Sequence, residues 1–74
     1  MPELPRISGE EAVRAFERLG FRQVRQKGSH VVLRRYDKGC VIPLHSSLAL
    51  GTLRSAIRQA GISVEEFVEA HRQR

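Results

Sequence analysis

Apolar side chains recur along this chain at two different spacings, and the switches between them divide it into six elements. Ala12, Ala15, Phe16 and Leu19 stand three and four residues apart, the period of one helix face. Ser8, with Glu11 three residues on, has the form of a capping box at the start of that helix. Gly20 stands where a left-handed residue would end it. Residues 21–26 alternate only weakly and predict an edge strand, after which Lys27 and Gly28 turn the chain. Residues 29–36 form the clearest strand, Tyr36-Asp37-Lys38-Gly39 a hairpin turn, and residues 40–44 a returning third strand. Pro43 cannot donate to a strand ladder, which suits a strand end or a sheet edge. Helical spacing returns over residues 50–60, with Leu53, Ala56, Ile57 and Ala60 on one face and Gly61 beyond. A second capping box, Ser63 with Glu66, starts a last helix holding Val64, Phe67 and Val68.

The order α-β-β-β-α-α predicts an α+β fold of two layers, a three-stranded antiparallel sheet with helices packed on one face. Strand alternation then assigns sides. Val31 and Leu33 face the helices, while His30, Val32, Arg34 and Tyr36 share the open face. The expected core is Ala12, Phe16, Leu19, Val31, Leu33, Ile42, Leu53, Ile57 and Phe67.

At 74 residues the chain predicts one domain, residues 1–74, without linker or repeat. Its 41% hydrophobic content is that of a folded globule, and no apolar run approaches the ~20 residues of a membrane span. The amino end lacks the layout of a secretion signal, and the single cysteine, Cys40, cannot pair internally. These features predict a cytoplasmic protein with no membrane association.

Charge adds a direction. Lysine and arginine number 13 against 8 acids. Glu3, Glu10, Glu11 and Glu17 precede residue 18, and Glu65, Glu66 and Glu69 follow residue 64. Between them lie Arg18, Arg22, Arg25, Lys27, Arg34, Arg35, Lys38, Arg54 and Arg58, opposed only by Asp37. A positive middle between acidic ends predicts an anionic partner, for which nucleic acid is the usual choice. The plain alternative is a solvated arginine-rich surface.

Several chemistries are excluded by what is missing. The chain has no Gly-x-x-x-x-Gly-Lys loop, no Gly-x-Gly-x-x-Gly turn and no pair of acids in the basic middle to hold magnesium. His30, Cys40, His45 and His71 do not have zinc-finger spacing, and a Cys40 thiol in an apolar strand is expected to be inert. Histidine remains. With a model-peptide pKa of ~6.5, an imidazole can accept and return a proton near neutral pH. For RNA that is sufficient: a base removes the 2′-hydroxyl proton, and the alkoxide attacks the adjacent phosphorus without metal or cofactor. His30 has Gly28 for close phosphate approach, the Ser29 hydroxyl, and Lys27, Arg34 and Arg35 nearby. A plain surface histidine is the alternative. His45 supports either a functional or a structural role, and His71, near the end of the last helix, neither.

Lys27-Gly28-Ser29-His30 followed by Val31-Val32-Leu33-Arg34 resembles the Gly-Ser-His strand of HicA toxins, mRNA interferases neutralised by HicB antitoxins. Val41-Ile42-Pro43-Leu44-His45 is similar to that family's Val-Pro-x-His segment, and Gly51-Thr52-Leu53-Arg54 to its Gly-Thr-Leu-Arg helix. The resemblance extends over nearly the whole chain, with the motifs in order. It implies a fold like the double-stranded-RNA-binding domain, ribonuclease activity on mRNA, a single catalytic histidine at His30, and a HicB-like antitoxin that occludes it. One departure stands out: the family's lysines before the Gly-Thr-Leu-Arg segment are absent from Ser46-Ser47-Leu48-Ala49-Leu50. Leu48 and Leu50 are therefore expected to meet either the partner or the core.

Together these readings predict a metal-independent endoribonuclease toxin, monomeric when free, with His30 catalytic. Arg22, Arg25, Lys27, Gly28, Ser29, Arg34, Arg35 and His45 are its expected RNA contacts. The alternative is a non-catalytic RNA-binding module of the same fold, which would grip the duplex by helix ends and loops. Such a module would not need a histidine on the open sheet face.

Overall fold

Both capping boxes form. In the computed structural model, which describes residues 3–73, the Ser8 side chain accepts from the Glu11 amide at 3.1 Å and the Glu11 carboxylate accepts from the Ser8 amide at 3.1 Å. Ser63 and Glu66 repeat the exchange at 3.0 and 2.9 Å. The bond that the Glu11 carboxylate accepts from the Ser8 backbone amide holds that carboxyl below its usual range. The helices they start are α1, Gly9–Arg18, and α3, Val64–Arg72. Between them come β1 (Arg22–Lys27), β2 (His30–Arg35), β3 (Lys38–Pro43) and α2 (Leu50–Ala60).

The sheet has the order β1-β2-β3 and is antiparallel throughout, so the expected α+β architecture is the one observed. α1 lies over the sheet, α3 packs on α1, and α2 lies chiefly along β3. Every expected core residue is buried except Leu19, which is half-buried and packs against the cluster. Burial also takes in Ile7, Phe21, Cys40, Leu48 and Ile62. Leu48 thus belongs to the core, and its amide donates to the Ile7 carbonyl at 2.8 Å, whereas Leu50 is half-buried. Burial pushes the Cys40 thiol up to about 12, so it stays protonated at neutral pH.

The β2–β3 turn differs from the expectation. It is the two residues Tyr36 and Asp37, with Arg35 paired to Lys38, so β3 begins two residues earlier than its sequence predicts. Tyr36, not a glycine, takes the left-handed conformation, with φ 57°. Gly39 serves the strand instead: a Cβ there would stand 2.9 Å from the Leu33 carbonyl oxygen.

Gly9 is the point at which α1 meets the end of the sheet. Its amide donates to the His45 carbonyl at 2.9 Å. A Cβ on Gly9 would overlap the Pro43 carbonyl oxygen and come within 2.8 Å of the Leu44 Cα. Both neighbours are backbone and cannot rotate aside. Gly9→Ala is therefore expected to destabilise by about 1–3 kcal/mol, the usual cost of overpacking. A thermal melt followed by circular dichroism should show Tm lower by at least ~4 °C; an unchanged Tm would mean that α1 can slide away freely.

Candidate functional site

A regular strand would put Arg22 and Arg25 on opposite faces, since their positions differ by three. β1 is not regular. Arg22 pairs with Arg34 and Gln23 with Leu33, but Arg25 pairs with Val32, leaving Val24 as an extra residue in a β-bulge. The bulge restores Arg25 and Lys27 to the side that carries Arg22. Cross-strand pairing then sets Arg22 beside Arg34 and Lys27 beside His30, all exposed on the face the helices leave uncovered. Gln23 and Gln26 turn the other way, into a hollow beside Val13 and Arg14 of α1. There the Gln23 amide nitrogen donates to the Glu17 carboxylate at 3.5 Å. Exposed Val24 and Val41 and half-buried Val32 share the cationic face, and exposed Tyr36 borders one hollow with Arg22, Val24 and Arg34.

His30 opens β2 opposite Pro43, the last residue of β3. It lines a groove of about 600 Å³ between the open sheet face and α2. His45 lines the same groove. Two backbone bonds set its position: the Leu44 amide donates to the Ser29 carbonyl at 2.6 Å, and the His45 carbonyl accepts from Gly9. The chain leaving β3 is thereby tied to the turn just before His30. That turn needs Gly28 for its left-handed φ of 58°, and a Cβ there would meet open space. Ser29 keeps its side chain exposed beside it.

The wall facing the histidines comes from α2, which contributes Thr52, Ser55 and Gln59, uncharged and able to hydrogen-bond. None of these is among the RNA contacts expected from the sequence, although Thr52 falls in the Gly51-Thr52-Leu53-Arg54 motif. The signal is there: they follow one another at helical spacing beside the core stripe of Leu53, Ala56, Ile57 and Ala60. Ala49, just before α2, supplies no side-chain cap, and the first turn of α2 holds no acid.

Arg35 borders the same hollow as Arg22 and Arg34, but its guanidinium is engaged by the fold. Its guanidinium donates to the Leu19 carbonyl at 2.7 Å and lies over the Phe21 ring, 4.8 Å from its centre. It closes the carboxyl end of α1, and its Nε is buried without a partner. The alternation that turns Val31 and Leu33 inward turns Arg35 inward as well. His71 lies against Glu11 at 3.6 Å, between α3 and α1. Among the described residues, no three His, Cys, Asp or Glu gather as a metal site. Nor is any helix among them long and apolar enough to cross a membrane.

Fold and site define a small basic α+β protein that carries its polar and cationic residues on the uncovered face of a three-stranded sheet. A family model described as HicA toxin of bacterial toxin-antitoxin matches residues 9–62, from the start of α1 to just past α2. The chain belongs to that family: it is a toxin of a toxin–antitoxin system, and its membership implies a cognate antitoxin as partner. All the groove residues named above fall inside the matched span. No curated protein matches the chain.

Proposed function

We propose that the toxin is a metal-independent endoribonuclease that cuts mRNA in the cytoplasm, with His30 as its proton-transfer residue. The observation that carries this reading is the setting of His30: exposed, in a groove, on the cationic face that the helices leave open. His30 takes the proton of a ribose 2′-hydroxyl, and the oxygen attacks the adjacent phosphorus. The bond to the 5′-oxygen breaks as that oxygen takes up a proton, leaving a 2′,3′-cyclic phosphate and a 5′-hydroxyl. Lys27, paired across the strand, is placed to offset charge on the phosphate, while Arg22, Arg25 and Arg34 hold the strand further along the face. Gly28 and Ser29 border the entry, and Arg35 contributes through the fold instead.

The direct test incubates the purified protein with a defined RNA, with and without EDTA. Cleavage to cyclic-phosphate ends at equal rates is expected. Loss of cleavage in EDTA would overturn the metal-free route.

Affinity should also depend steeply on salt. Each phosphate neutralised on single-stranded RNA contributes about −0.7 to the slope of log K against log salt. Four cations, Arg22, Arg25, Lys27 and Arg34, thus predict a slope of about −3 at most. Arg34→Ala should flatten it by about 0.7 and weaken binding to all sequences alike, with cleavage retained at saturating RNA. A flat salt titration would remove the cationic face from the binding site. The antitoxin in this reading covers the same face, neutralising the free, monomeric toxin by steric exclusion of RNA from His30.

A further inference from the structure

We propose that His45 is a second catalytic residue, the general acid that protonates the departing 5′-oxygen while His30 acts as base. This rests on the ribonuclease reading above and adds a second group to it. The juxtaposition is specific. Two exposed imidazoles line one groove, although fifteen positions separate them in the chain. The antiparallel pairing brings Pro43 opposite His30, and the Leu44–Ser29 bond holds the next residue against the turn. His45 therefore does not wave from a loose loop; its own backbone carbonyl is bonded to α1. The groove-lining residues of β3 and α2, Val41, Pro43, Thr52, Ser55 and Gln59 among them, carry no charge. The nearest cation in register is Lys27, opposite His30. Among the described residues no carboxylate lines the groove, so of its side chains the two imidazoles are the groups fitted to give and take a proton.

The chemistry balances with two such groups. His30, neutral at the start, gains the 2′-hydroxyl proton as the new O2′–P bond forms. His45, protonated at the start, gives its proton to O5′ as the P–O5′ bond breaks. The enzyme ends with the proton on the other imidazole, and exchange with water resets it. A group that only the leaving oxygen needs becomes dispensable when the leaving atom is more acidic, which supplies the test.

A cleavage site is first mapped with the wild-type protein. The same RNA is then made with its scissile 5′-oxygen replaced by sulfur, which departs as a thiolate without prior protonation. His45→Ala is expected to cut the oxygen RNA about 100- to 10,000-fold more slowly than wild type, and to recover most of that loss on the sulfur RNA. His45→Gln, which keeps a hydrogen-bonding side chain but cannot give up a proton, should be equally slow on oxygen and equally restored. Both variants keep the backbone carbonyl that α1 uses, and an unchanged melt confirms the fold. Equal losses on the two RNAs, rescue by glutamine, or wild-type rates on the oxygen RNA would each overturn the role of His45 as acid. His30→Ala is run in parallel and should stay slow on both RNAs. If His30→Ala cuts like wild type, the underlying ribonuclease reading fails, an outcome distinct from failure at His45 alone.

Discussion

His30→Ala is expected to abolish RNA cleavage and growth inhibition while leaving the fold and antitoxin binding largely intact. The imidazole is exposed at the first position of β2, so its removal opens no cavity and should cost within about 0.5 kcal/mol of stability. Loss of a general base typically slows a reaction by ~100- to 10,000-fold, enough to silence a slow nuclease. Single-turnover cleavage of a defined RNA, alongside a thermal melt and antitoxin titration, separates the two effects. Wild-type cleavage by the purified variant would transfer support to the non-catalytic RNA-binding module. A large drop in Tm would mean instead that His30 holds the sheet end together.

The largest effect on stability is expected at Phe16. Its side chain is fully buried and sits at the centre of an aromatic cluster. The Phe21 ring meets it edge-on, 5.3 Å between centres, and the Phe67 ring is tilted against it at 5.2 Å. Phe21 in turn carries Arg35, so the cluster ties α1, the start of β1, the end of β2 and α3 to one point. Truncating a buried phenylalanine costs about 3–5 kcal/mol. A chain of this length has about 4–11 kcal/mol in all, at ~0.05–0.15 per residue. Phe16→Ala should therefore be mostly unfolded at 37 °C or melt far below wild type. The measurement is urea or thermal denaturation; a Tm within a few degrees of wild type would show that the layer repacks around the gap.

The faces of β2 do not depend on whether the hairpin turn spans two residues or four. A turn drawn over Tyr36-Asp37-Lys38-Gly39 sets Arg35 against Cys40, whereas the chain sets it against Lys38. The shift is two residues, and a shift of two preserves which side every residue faces. Val31, Leu33, Cys40 and Ile42 still point inward, and His30, Val41 and Pro43 remain on the groove side. Arg35 was readable by the same rule. Strand parity turns it toward Leu19 and Phe21, while it still borders the hollow lined by Arg22 and Arg34.

What the sequence determined by itself was local. Capping boxes, helix stripes and strand alternation act between residues two to four apart, so Ser8 with Glu11, the stripe of α2 and the inward side of β2 are all present in the order of residues. Packing decided the rest. The bulge at Val24 gathers Arg22, Arg25 and Lys27 on one face, and nothing in the polar, weakly alternating run of β1 marks which residue is extra. Leu48 lies in the core, with its amide bonded to the Ile7 carbonyl forty-one positions away. Thr52, Ser55 and Gln59 became a groove wall only because α2 lies along β3, opposite the two histidines. Such placements depend on burying the apolar stripes of distant elements together, and that energy belongs to no short segment of the chain.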